Sequence, residues 1–502
     1  MKLERKVLDM FKHINNIPRG SGNEKAISDW LIELGKNHGW KTYQDDLNNV
    51  ILVVPGKNGL ENKDPIIIQG HMDMVCIKED DSNHDFTKDP IEMYEEDGWL
   101  KAKGTTLGAD NGIAIAIALV LAMEKDVVTP PLELFFTVDE ERGLTGATYF
   151  EPKILTGKVL INIDSEDEGV FTIGCAGGKD VLVSMPVERC GDRRSPIHTG
   201  DRRSPLQSPM KCIEITLSGL RGGHSGIQIN ENIPNAIHLM ARLLSAIPHQ
   251  EDFCLNTILA GVAHNAIPTS ATVTFSTSNK DHISNLLEKE FEILKAEYQE
   301  TDPNIKLQIE EIEPINDYIS NEYSRKIIQL MMALPHGVFS MNNHNIIETS
   351  NNFAIASLLH NKVDAQLFSA AGTAQPDMLN ILLSLRTTIA SKMDFLVNKV
   401  KAIASLAGAN IEVGKGYPHW EPNFNSELLK KSVQVYKNLF NKEPIIEVIH
   451  AGLECGVIGA KYPGMEMISI GPTIRAPHTP LERLKIEDID KIVAFMLELF
   501  KN

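Results

Sequence analysis

Ile66-Ile67-Ile68-Gln69-Gly70-His71-Met72-Asp73 is a short apolar run that ends on polar groups. A run of that length, rich in β-branched residues and closed by polar residues, reads as a buried strand. The arrangement recurs: Leu134-Phe135-Phe136-Thr137-Val138 runs into Asp139-Glu140-Glu141, and Val159-Leu160-Ile161-Asn162-Ile163 runs into Asp164. A helical apolar segment, Ile113 to Met123, separates two of these strands, and strands alternating with helices specify an α/β unit with a mostly parallel sheet. In open sheets of that kind ligands bind outside the carboxyl ends of the strands. Three polar termini are therefore expected in one crevice. Two more segments join them: Thr105-Thr106-Leu107-Gly108-Ala109-Asp110-Asn111-Gly112 precedes the buried helix, and Gly471-Pro472-Thr473-Ile474-Arg475-Ala476-Pro477-His478 follows the strand Met467-Ile468-Ser469-Ile470.

Outward from that centre, Val50 to Val54 adds a strand, and the amphipathic stretches Lys2 to Asn15 and Asn23 to Lys36 supply outer helices. From about residue 184 to 418 the pattern changes to alternating strands such as Cys212 to Leu217, Ala271 to Phe275 and Leu379 to Leu385, with helices such as Asn235 to Ala246. This is the pattern of an inserted α+β domain. After Tyr417-Pro418 the α/β style returns and closes with a helix over Ile489 to Phe500. A chain of 502 residues exceeds what one hydrophobic core supports. The expected division is residues 1–183 and 419–502 as one discontinuous catalytic domain, with 184–418 inserted as a lid. Residues 191–199 and 200–208 form a tandem repeat, Gly-Asp-Arg-Arg-Ser-Pro in both copies, whose composition reads as an exposed loop.

Composition removes several function classes. A formal charge of −18 repels nucleic acid phosphates and anionic lipid. The longest apolar run, Ile113 to Met123, is well short of the roughly 20 residues that span a bilayer, and the first residues, Met1-Lys2-Leu3-Glu4-Arg5-Lys6, lack the apolar stretch of a secretory signal. No nucleic acid partner and no membrane association are expected. Six cysteines are scattered without CxxC spacing, which argues against a disulfide framework or a thiolate zinc site and for a reducing cytoplasm.

The residue types at the strand ends suit zinc, which takes imidazole nitrogen and carboxylate oxygen. Two metals need a bridge, and a carboxylate such as Asp110 can give one oxygen to each ion while a water is held between them. Glu140 and Glu141, adjacent after an extended strand, would point to different sides, so that one binds metal and the other faces the water. His71 and Asp73, two apart in an extended segment, point the same way, and Asp73 can hold the imidazole in the tautomer a ligand requires. Taken singly, each position has a structural alternative: His71 as a satisfied strand-end histidine, Asp110 as a helix N-cap, and Glu140 and Glu141 as a solvated turn.

Together, Gly70-His71-Met72-Asp73-Met74-Val75, Gly108-Ala109-Asp110-Asn111-Gly112, Asp139-Glu140-Glu141-Arg142-Gly143, Ile163-Asp164-Ser165-Glu166 and Pro477-His478-Thr479-Pro480 resemble, in order and spacing, the di-zinc peptidases of the aminoacylase and carboxypeptidase superfamily. Gly174-Cys175-Ala176-Gly177-Gly178, Glu348-Thr349-Ser350-Asn351-Asn352 and His450-Ala451-Gly452-Leu453-Glu454-Cys455-Gly456 are similar to its bacterial aminoacyl-histidine dipeptidase branch, the Xaa-His or cytosolic carnosinase-like enzymes. The resemblance implies a phosphorylase/hydrolase-like α/β catalytic domain with a mostly parallel mixed sheet and an inserted α+β lid and dimerisation domain. It also implies hydrolysis of Xaa-His dipeptides, carnosine-like substrates included, by a metallopeptidase with two zinc ions, for which manganese or cobalt can substitute. A broader di- or tripeptidase or an N-acyl amino acid deacylase is the alternative on the same metal site, and a non-catalytic scaffold is the reading from another class. By resemblance Asp110 bridges the ions, His71 and Asp164 complete one site, Glu141 and His478 complete the other, Glu140 is the general base and Asp73 supports His71. The Asp110–Asn111 peptide is expected to be cis. Leu220-Arg221-Gly222-Gly223-His224-Ser225-Gly226 resembles the loop whose histidine stabilises the oxyanion, and Asn265 and Arg386 resemble substrate-binding positions, Arg386 suiting a terminal carboxylate. A homodimer is implied. Glu231-Asn232-Ile233-Pro234-Asn235 departs from the pattern, since many relatives carry arginine there.

Overall fold

The computed structural model describes residues 2–151, 153–187, 189–190, 210–315, 317–359 and 377–501; the tandem repeat at 191–208 lies outside the described residues. The chain forms two compact units, Met1–Cys175 with Pro418–Asn502, and Ala176–Tyr417. The first boundary is eight residues earlier than the 183/184 position expected from sequence, which falls inside the strand Gly177–Pro186. That strand pairs along its length with Met378–Thr387 in the second unit's sheet, so its hydrogen bonds place it there.

The first unit is built on an eight-stranded mixed sheet. Four neighbours at its centre run parallel, in the order Leu132–Thr137, Ile66–His71, Val159–Asn162 and Glu466–Ser469. Val50–Val54 and Lys41–Gln44 continue antiparallel on one side, while Val170–Cys175 and Ile445–Ile449 complete the other. All six residues of Leu132–Thr137 are buried, as expected for a strand covered on both faces. Parallel pairing brings the carboxyl ends of Ile66–His71, Leu132–Thr137 and Val159–Asn162 out at one edge.

Every residue from Ile113 to Ala122 is buried in the helix Ala109–Met123, which packs on the strand Ile66–His71 and the helix Leu3–Ile14. A helix apolar around its whole circumference has no face to give to solvent, and this one fills the centre of the unit. It lies close against the sheet at Gly70, where an added Cβ would stand 2.4 Å from Asn111 Oδ1 and 2.7 Å from Ala114 Cβ. The helix is entered through Gly108 at φ 68°, in the left-handed region that favours glycine.

Among the described residues the second unit holds a nine-stranded sheet in which every pairing is antiparallel. Alternate residues, Val181, Val183, Ile213, Ile215, Leu383 and Leu385 among them, form one core with the helices Ala236–Ser245, Lys280–Glu297, Asn321–Ala333 and Ala390–Ala407. The helix expected from Asn235 is capped by that residue, whose side chain accepts from the amides of Ile237 and His238. Among the described residues no helix is long and apolar enough to cross a membrane.

Gly70→Ala should lower the stability of the first unit by about 1–3 kcal/mol, because neither Asn111 nor Ala114 can withdraw from its packed position. The urea midpoint measures this, and an unchanged midpoint would contradict the close packing of helix on strand.

Candidate metal centre

His71 closes the strand Ile66–His71 and is buried. Its Nδ1 lies 3.2 Å from Asp73 Oδ1, and its Nε2 lies 3.0 Å from Asp110 Oδ1 and 3.4 Å from Asp164 Oδ1. The second oxygen of Asp110 is 3.0 Å from His478 Nε2, which is also 3.0 Å from Glu141 Oε2. The ligand atoms of His71, Asp110 and Asp164 lie within 4.8 Å of one another, as do those of Asp110, Glu141 and His478, and those of His71, Glu140 and Glu141. Asp110 thus offers one oxygen to each of two three-residue donor sets. His71, Asp73, Asp110, Glu140, Glu141, Asp164 and His478, dispersed over the sequence, are brought to one place.

The turn that carries Glu140 and Glu141 differs from the extended arrangement expected. The strand ends at Thr137, Asp139 takes φ 53°, and the amides of Gly143 and Leu144 fold back onto Glu140 O. Both carboxylates consequently face the same cluster. The turn is pinned by Asp73, whose Oδ1 accepts from the Glu140 amide at 3.0 Å and whose Oδ2 accepts from the Glu141 amide at 3.3 Å. Asp73 therefore orients the His71 ring and the backbone of the acidic pair together. His478 also sits at positive φ, 59°, a conformation that costs a non-glycine residue roughly 1–2 kcal/mol.

Residues not picked out from sequence hold the loop that bears Asp110. Glu482, 2% exposed, accepts from the amides of Leu107, Gly108, Ala109 and Asp110 at 2.8, 3.0, 2.8 and 3.3 Å. A carboxylate there satisfies the orphan N–H groups of a helix start and complements its dipole. Arg19, 1% exposed, donates to Met72 O, Asp73 O, Asn15 Oδ1 and Gly108 O. Asn111 accepts from the His71 amide at 3.1 Å and donates to Ile163 O at 2.5 Å, tying the two strand ends beside His71 and Asp164. The Asp110–Asn111 peptide is cis. Glu454 accepts from Gln69 Nε2 at 2.5 Å and Thr137 Oγ1 at 2.6 Å. The only local signal for Glu482 was its position four residues after His478, since its partners lie some 374 residues away in sequence.

The electrostatics are those of a centre with too many carboxylates. Burial alone would lower the His71 pKa, but Asp164, Asp110 and Asp73 hold it well above the ordinary range. His478 is pushed up to about 11 by its hydrogen bonds to Asp110 and Glu141. Burial raises Glu140, with Asp164, Glu454 and Glu141 adding to it against the lowering charge of His71. Glu141 and Asp164 are likewise raised by burial. Among the described residues Glu141 Oε1 is buried without a hydrogen-bond partner. Imidazole and carboxylate donors in two sets around one shared carboxylate, with an orphaned oxygen among them, fit a pair of divalent cations.

His224, Asn265 and Arg386 lie in the second unit, near one another. His224 pairs with Ala266 across a short ladder, and the Ser225 amide donates to Asn265 O at 2.8 Å. His224 Nδ1 accepts from the amides of Gly226 and Ile227 at 3.2 and 3.1 Å, so the neutral ring carries its hydrogen on Nε2. Burial first, then the charges of Arg386 and His264, lower its pKa. Arg386 is 5% exposed, donates from Nη1 to Tyr417 Oη at 2.8 Å, and keeps a buried Nε without a partner among the described residues.

A profile of Peptidase family M20/M25/M40 matches residues 67–502. The cytosol non-specific dipeptidase of Escherichia coli is 34% identical over 498 residues, 98% of this chain and 96% of that protein. The crystal structure of aminoacylhistidine dipeptidase from Vibrio alginolyticus superposes with a TM-score of 0.84 at 33% identity, covering 99% of this chain and 96% of the other. Aminopeptidase PepT from Bacillus cereus, at TM-score 0.54 and 16% identity over 99% of this chain and 98% of that one, shares the fold.

Groups held protonated by crowding must lose those protons when a cation enters. Calorimetric titration of zinc into metal-free protein at pH 7, repeated in buffers of different ionisation enthalpy, should show about one or more protons released per chain, and affinity should fall as the pH is lowered. Binding without proton release would contradict the electrostatics. Glu482→Gln should weaken metal retention by about 10–100-fold, read by competition with a chelator; wild-type affinity would show that Glu482 does not position Asp110.

Proposed function

The chain belongs to Peptidase family M20/M25/M40, and from that premise we propose that it is a metal-dependent dipeptidase that hydrolyses Xaa-His dipeptides, carnosine-like ones included. The observation that carries the reading is the pair of donor sets that share Asp110, with Glu140 against them. His71, Asp110 and Asp164 would hold one cation, and Asp110, Glu141 and His478 the other; zinc suits the donors, with manganese or cobalt as substitutes. Bound there, the cations supply Lewis acidity to the scissile carbonyl and lower the pKa of the nucleophilic water.

The chain's own residues do the remainder. Asp73 fixes the His71 ring through Nδ1, leaving Nε2 as the ligand atom. Glu140 takes a proton from the water as its oxygen attacks the carbonyl carbon, and returns that proton to the leaving nitrogen as the C–N bond breaks. Burial raises the pKa of Glu140, which strengthens it as the base of the first transfer. The Nε2–H of His224 is assigned to the oxyanion, on its loop motif and its tautomer. Arg386 is assigned to the substrate carboxylate, and Asn265 to substrate contact, on their resemblance. The Xaa-His preference draws support from the Vibrio structure's name and the branch motifs. The Escherichia coli relative, a non-specific dipeptidase by name, favours broader specificity as the second reading. The same relative's name supports a cytoplasmic location; a homodimer rests on the resemblance.

A panel of Ala-His, β-Ala-His, Ala-Leu, a tripeptide and an N-acetyl amino acid tests the reading. Free dipeptides should be cleaved, Xaa-His fastest, with activity abolished by chelator and restored by zinc. Glu140→Gln should keep its metal and lose about 10²-fold or more in kcat, whereas Glu141→Ala should lose metal. A zinc-loaded protein inert on every dipeptide would defeat the proposal.

A further inference from the structure

One face of the second unit's sheet carries a row of polar groups opposite the side occupied by Leu383 and Leu385. Directly opposed residues on antiparallel strands share a face, and the register sets Arg386 against Gly178 and Ser350, and Ser384 against Asp180 and Asn352. Asp180 is thus the diagonal neighbour of Arg386, roughly 7–8 Å away between Cα atoms. Asp180 Oδ2 lies 3.3 Å from Nδ1 of His264, and the two side chains are 41% and 53% exposed. Asn352 holds the His264 loop by donating to the carbonyls of His264 and Ala266 at 3.2 and 2.8 Å, and its Oδ1 is buried without a partner among the described residues. At the buried end stands Arg386, whose Nε has no partner among the described residues. Burial would raise Asp180, but His264, Ser384 and the charge of Arg386 outweigh it and keep the carboxylate ionised.

A guanidinium with unused hydrogen-bonding capacity beside an accessible carboxylate that already receives an imidazole describes a zwitterionic receptor of definite chemistry. We propose that Asp180, seconded by His264, is the specificity group for the C-terminal residue: it accepts the imidazole N–H of a histidine whose α-carboxylate is held by Arg386. The proposal rests on the dipeptidase reading and adds to it the residue that selects the side chain. A carboxylate has acceptor sites for more than one N–H, so a substrate imidazole joins the ring of His264 on Asp180. A leucine at that position would offer Asp180 no N–H, and the difference between the two substrates is one hydrogen bond to a charged group.

The experiment compares zinc-loaded wild type, Asp180→Asn and Asp180→Glu in kcat/KM for Ala-His and Ala-Leu, and in calorimetric binding of L-histidine and L-leucine. The Ala-His to Ala-Leu ratio should fall about tenfold in Asp180→Asn, the size of one such bond, through KM rather than kcat. L-Histidine binding should weaken by a similar factor, and Asp180→Glu should recover part of both. An unchanged ratio and unchanged histidine affinity, an equal loss on both dipeptides, or no preference of wild type for L-histidine over L-leucine would each overturn the assignment. A wild type that cleaves neither dipeptide would defeat the dipeptidase reading, and the amino acid affinities of the variants would still decide the role of Asp180.

Discussion

The arrangement turns on Asp110. Its two oxygens face two histidines, His71 and His478, and each of those faces a further carboxylate. Removed from water, several carboxylates at this separation repel one another by more than two imidazoles can offset. The site is stable only with added positive charge, as protons or as cations, and its donor chemistry selects divalent ions. The surrounding structure serves to keep that unfavourable crowd in place.

That support is a set of buried polar bonds, each joining elements remote in sequence. Arg19 links the segment after the strand Ile66–His71 to the Gly108 turn, Glu482 closes the start of the Ala109–Met123 helix, and Asn111 joins the ends of two strands. Burial costs Arg19 enough to lower its pKa to about 10, and pushes Glu482 and Glu454 up to about 7. Buried charges of this kind contribute little net stability; what they supply is a fixed geometry for ligands that would otherwise move apart. Apolar packing of the central helix against the sheet carries the stability instead.

The sequence made the scaffold legible because apolar runs ending on His71, Asp139 and Asp164 are local signals. Parallel strands then force those ends to one edge, so the convergence of His71, Asp110, Glu140, Glu141, Asp164 and His478 could be anticipated. The turn at 139–144 could not. Its shape comes from Asp73 accepting two amides across 67 and 68 residues of chain, and alternation along a strand gave the wrong geometry for Glu140 and Glu141. The roles of Arg19, Asn111 and Glu482 escaped for the same reason, since most of their partners are long-range backbone groups without a spacing pattern, and so did that of Glu454, whose partners are the side chains of Gln69 and Thr137, 385 and 317 residues away. The inserted unit's start was misplaced because the strand Gly177–Pro186 looks locally like those before it; its pairing with Met378–Thr387 and with Asn410–Val413 assigns it.

Anomalous X-ray scattering from crystals of the zinc-loaded protein, with elemental analysis of the same sample, tests the central claim most directly. Two metal peaks per chain, one on each oxygen of Asp110 and roughly 3.5–4 Å apart, are the predicted result. A single ion, or ions bound away from Asp110, would contradict the account.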